Sequence, residues 1–138
     1  MVSMDFQTFG SAEFQTETIF SRSFANSFLR SLKRNPVNKT GQLNEAMAQL
    51  EKSVASQNDF FALKALFEQL GDICAVSDKP IVLMIDEVDS ASNNQVFLDF
   101  LAQLRAQYME RDIYPTFRSV ILAGVYLSLI HISEPTRH

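Results

Sequence analysis

Five consecutive apolar residues, Ile81 to Ile85, follow Lys79-Pro80 and end in Asp86-Glu87-Val88-Asp89. An unbroken apolar run of this length, opened by a proline and rich in β-branched side chains, predicts a strand buried on both faces. Strands of that kind belong to parallel sheets covered by helices, and in open α/β sheets ligands bind just beyond the strands' carboxyl ends. Asp86 and Glu87 stand at such an end. A half-buried carboxylate without a partner is costly, so an acidic pair there calls for a function, and holding a cation is the simplest one.

The helical segments follow from periodicity. Phe20, Phe24 and Phe28, widened by Leu29 and Leu32, predict a long helix over Glu13–Arg34 that ends at Asn35-Pro36. Thr40 is placed to cap a second helix over Gly41–Val54, with Leu43, Met47, Leu50 and Val54 on one face. A third helix, capped by Asn58 or Asp59, carries Leu63, Leu66, Phe67, Leu70, Ile73 and Cys74 and ends near Ser77-Asp78. A fourth, capped by Asn93 or Asn94, runs to about Glu110 with Phe97, Leu101, Leu104 and Tyr108 expected inward. Val2–Phe6 and Ser119–Val125 read as further strands, and strand, helix, strand at this spacing predicts a right-handed parallel crossover.

At 138 residues the chain is one domain at most, and 46% apolar with 20% charged residues describes a globular protein. A net charge of −4 gives no basic surface for nucleic acid or anionic lipid. The single cysteine, Cys74, excludes an internal disulfide, suits a reducing cytoplasmic compartment and reads as a small core residue. No apolar run reaches the ~20 residues of a membrane span.

The apolar run followed by Asp86-Glu87 resembles the Walker B motif of AAA-type ATPases, and Ile85-Asp86-Glu87-Val88-Asp89 is most similar to the bacterial AAA-ATPase-like family. The resemblance extends over residues 2–126. It implies a three-layer, P-loop NTPase-like α/β fold of the additional-strand type, in which this chain supplies parallel strands 2, 3 and 4 and lacks strand 1 with its P-loop and strand 5. It further implies that Asp86 coordinates Mg²⁺, directly or through water, and that Glu87 is the catalytic base for hydrolysis of the phosphoanhydride of ATP. Asp89 is an accessory acid. Sensor 1 is expected after Val120-Ile121-Leu122-Ala123-Gly124-Val125-Tyr126, where the family continues with Asp; here Leu127 follows.

The cradle for the triphosphate is missing. Asn38-Lys39-Thr40-Gly41 is not a P-loop, and none of the 4 glycines precedes a lysine. The expectation is therefore a partial ATPase domain at 1–126, active in an intact parent and inactive alone, with protein or nucleic-acid partners reached only through domains not present. The tail 127–138 resembles translated sequencing-adapter DNA and is read as non-native, so His131 and His138 receive no role. Two other readings compete. One is a nucleotide-independent α/β interaction module that has lost the P-loop. The other is a metal-dependent hydrolase built on Asp86, Glu87 and Asp89, disfavoured because two-metal sites draw acids from several strands and the one other strand acid, Asp5, is expected on the opposite edge strand. An apolar strand edge left open where strand 1 would pair predicts poor solubility.

Overall fold

The computed structural model describes residues 2–5, 14–34, 40–56, 61–86 and 94–123. In chain order these form β1 (Val2–Asp5), α1 (Glu17–Arg34), α2 (Gly41–Ala55), α3 (Leu63–Val76), β2 (Val82–Asp86), α4 (Gln95–Met109) and β3 (Ser119–Leu122). Among the described residues no helix is long and apolar enough to cross a membrane.

Each helix begins where a side chain accepts the first free amides, with one exception. Thr16 Oγ1 accepts from Ile19 N at 3.1 Å, so α1 starts at Glu17 and not at Glu13. Thr40 Oγ1 accepts from Leu43 N at 3.2 Å, and Asn94 Oδ1 from Phe97 N at 3.0 Å. Asn94 also donates through Nδ2 to Phe14 O at 3.2 Å, tying the start of α4 to the segment before α1. The exception is α3. Its N-cap is Ala62, and the acceptor for Leu63 N is Glu17 Oε1, 46 positions earlier on α1, at 3.4 Å. The expected caps Asn58 and Asp59 lie outside the described residues.

The core is aromatic. Phe20, Phe24 and Phe28 of α1 are fully buried, as is Phe100 of α4. The Phe100 ring lies 5.2 Å from Phe20, 4.9 Å from Phe24 and 5.4 Å from Phe67 of α3, so three helices meet on one side chain. This fixes the rotation of α4. Phe97, Phe100 and Leu104 face the core, while Leu101 is half-buried and Tyr108, expected inward, is 37% exposed. The reason is geometric: a stripe through 97, 100 and 104 delivers the Phe100 ring to the Phe20–Phe24 pair with Phe97 stacked behind it. Gly71 allows close approach of the segment after α4, since a Cβ there would stand 3.3 Å from Pro115 O. The Lys33–Glu51 ion pair between α1 and α2, at 2.6 Å, is half exposed on both sides, where such pairs contribute little, about 0–1 kcal/mol.

The three-layer P-loop NTPase-like α/β fold implied by the sequence is overturned. The described chain is mainly helical, with helices of 18, 15, 14 and 15 residues against parallel strands of only 4, 5 and 4. The strands lie in the order β1-β2-β3, but they do not form the buried centre of a sandwich. Leu83 and Ile85 of β2 are fully buried, whereas Val82, Met84 and Asp86 between them are half-buried. On the Met84 face the registered neighbour Ile121 is 43% exposed. A sheet covered by helices on both faces would close both. Among the described residues the helices joined by the phenylalanine cluster bury the Leu83–Ile85 side of β2 and leave its other side half-buried.

Candidate functional site

β2 is the middle strand, so its carboxyl end is held from both sides. Met4 and Asp5 of β1 stand opposite Ile85 and Asp86, and Leu122 of β3 stands opposite Ile85. Arg118 N donates to Ile81 O at 2.8 Å and Ala123 N to Ile85 O at 2.9 Å, pinning β3 along the whole length of β2. Asp86 is the last residue of the strand and is half-buried. Glu87 and Asp89, the expected base and accessory acid, lie outside the described residues, as do His131 and His138.

Asp5 is the acid that sequence reasoning set aside. Strands 2, 3 and 4 were expected side by side in that order; the structure pairs β1 directly with β2 and puts Asp5 at the register position of Asp86. Adjacent strands are about 4.8 Å apart, so two acids occupy neighbouring backbone positions at the strand tips. The signal was present in the chain. Both Val2-Ser3-Met4-Asp5 and Leu83-Met84-Ile85-Asp86 end a short strand in aspartate, and any in-register pairing of the two brings the acids together.

Hard oxygen donors suit Mg²⁺, which is bound through one or two carboxylates with its remaining positions left to water or phosphate oxygens. Asp86, at the end of β2, is a donor of that type. Among the described residues no three His, Cys, Asp or Glu side chains converge as a metal cage. No comparable fit exists for a triphosphate, because the described strand tips bring no lysine and no glycine-rich loop.

Cys74, the one nucleophile of its kind, is not part of this site. It packs against the core from α3, and burial pushes its thiol up to about 12 from the usual 9.0. A folded-state value above the unfolded one means stability that is complete below pH 9.0 and lost as pH rises towards 12. Urea titrations at about pH 8 and about pH 10 are expected to show that loss, approaching ~1.4 kcal/mol per pH unit, and Cys74→Ala should flatten it. A slope unchanged in Cys74→Ala would place its origin in other groups.

Comparison with known proteins adds no identity: the chain matches no family model, no curated protein and no solved structure.

Proposed function

We propose that the carboxyl end of β2 is the cation- and water-handling part of an ATP-hydrolysing site. In this reading Asp86 holds Mg²⁺ directly or through water, and Glu87 accepts a proton from the water that attacks the γ-phosphorus. The bond from that phosphorus to the bridging oxygen breaks, and ADP and phosphate leave. Mg²⁺ supplies neutralisation of the charge on the phosphate oxygens. The observation that carries the proposal is the register of Asp5 with Asp86 at the strand tips. The resemblance of Ile81–Asp89 to the Walker B motif of AAA-like ATPases supports it from the sequence side.

The 138 residues contain no glycine-lysine step for cradling phosphates. The triphosphate is accordingly held by residues outside them, and the chain by itself turns over no ATP. A cytoplasmic setting goes with this reading.

A second reading is favoured by the same register. Acids drawn from two strands, Asp5 and Asp86 with Glu87 and Asp89 following, are what a metal-dependent hydrolase of other phosphoesters uses. Nucleotide dependence separates the two, and both require the cation. The experiment that tests the shared core is a Mn²⁺ titration of the chain followed by electron paramagnetic resonance, comparing the unaltered chain with Asp86→Asn.

A further inference from the structure

The carboxyl ends of β1 and β2 each continue into a segment that leads to a helix. Residues 6–13 join Asp5 to Phe14, just before α1, and residues 87–93, Glu87 among them, join Asp86 to Asn94 at the start of α4. The two segments begin side by side, because Asp5 and Asp86 share a register position. They also end together. Asn94 Nδ2 donates to Phe14 O at 3.2 Å, in a half-buried setting, although the two residues are 80 positions apart in the chain.

Both sides of this junction are anchored. Phe14 is buried, with its ring 5.7 Å from Phe20 of α1, and Phe20 lies 5.2 Å from Phe100 of α4. Asn94 Oδ1 accepts from Phe97 N at 3.0 Å, which caps α4. The orientation of the amide follows from its partners, since a backbone N–H only donates and a carbonyl oxygen only accepts. The two ends of one side chain therefore do different things: the oxygen starts a helix, and the nitrogen holds a second piece of chain. Capping needs only the oxygen, and Ser or Asp would serve it as well.

We propose that Asn94 is a positioning residue for the site at the strand tips, clasping the segment after β1 to the segment after β2 and so fixing the far end of the stretch that carries Glu87. This rests on the reading of Asp86 and Glu87 given above. Bringing the ends of a chain segment together removes much of its conformational freedom, and a misplacement of about 1 Å at a reacting group costs on the order of 10²-fold in rate. Asn94 acts here through the chain it holds, without touching cation or substrate.

Asn94→Asp and Asn94→Ser separate the clasp from the cap. Each keeps an oxygen to accept from Phe97 N, so α4 keeps its start, and each lacks the amide N–H that reaches Phe14 O. Agreement between them rules out the added charge of Asp as the cause. Amide hydrogen exchange of the full 138-residue chain, followed by mass spectrometry, is read beside Mn²⁺ affinity from electron paramagnetic resonance. In both variants exchange should quicken about fivefold in segments 6–13 and 87–93 together, as loss of one hydrogen bond implies, with α4 unchanged. The Mn²⁺ dissociation constant should rise about tenfold. A change confined to α4 or to one segment, or no change in either, overturns the proposal and leaves Asn94 a helix cap. Faster exchange in both segments with Mn²⁺ affinity unaltered overturns the positioning role. An unaltered chain that binds no Mn²⁺ sinks the ATP-hydrolysing reading instead, and the exchange comparison still decides the clasp.

Discussion

Phe100→Ala is expected to be the most damaging single substitution in the chain, lowering stability by about 3–5 kcal/mol. The ring is fully buried and lies within 4.9–6.2 Å, centroid to centroid, of Phe20, Phe24, Phe67 and Phe97. Truncation removes its transfer free energy, leaves a cavity and deletes four aromatic contacts at once. The neighbours sit on three helices tied into one core, so none can collapse into the space without moving its helix. The midpoint of thermal unfolding should fall by roughly 10–20 °C for a domain of this size. Leu101→Ala, one position along α4 and only half-buried, should cost less than half as much. If Phe100→Ala lost under about 1 kcal/mol, the packing of α4 against α1 and α3 would be wrong, and with it the placement of the helical layer over β2.

Glu87→Gln should have the largest effect on activity. In the complete ATP-hydrolysing protein, replacing the proton acceptor by an amide of the same shape is expected to lower kcat by about 10²–10⁴. Mg·ATP binding should be retained, because the amide still occupies the space and only the proton acceptor is lost. Single-turnover kinetics separate the two quantities. A kcat within twofold of the unaltered protein would remove Glu87 from the reaction and leave Asp86 as a structural or purely cation-binding acid. Loss of nucleotide binding together with kcat would instead assign Glu87 to holding the metal.

Much of the local structure was legible in the chain. The four-residue steps of phenylalanine defined α1, and Thr40 and Asn94 cap the helices they were expected to cap. These features are set by residues a turn apart, where sequence spacing is spatial spacing. The start of α3 was not legible, because its acceptor, Glu17, comes from another helix. The rotation of α4 escaped for the same reason. Tyr108 and Phe100 both satisfy an apolar stripe, and the neighbours Phe20, Phe24 and Phe67 decide between them.

The architecture failed at a different level. Ile81–Ile85 reads identically whether one face or both are covered, and the half-buried state of Val82 and Met84 is seen only in the structure. The site was half legible. Asp86 announced itself by interrupting an apolar run. Asp5, 81 positions away, was expected on the neighbouring strand, but its pairing with Asp86 at one register position is seen only in the structure.

The most direct measurement is the Mn²⁺ titration of the chain, read by the loss of the free-ion paramagnetic signal, with Asp86→Asn and Asp5→Asn measured in parallel. The account predicts one saturable site that Mg²⁺ displaces, weakened at least tenfold by either substitution, while circular dichroism shows both variants folded. Binding that is absent, or that persists unchanged in both variants, would contradict a cation site at the paired tips of β1 and β2.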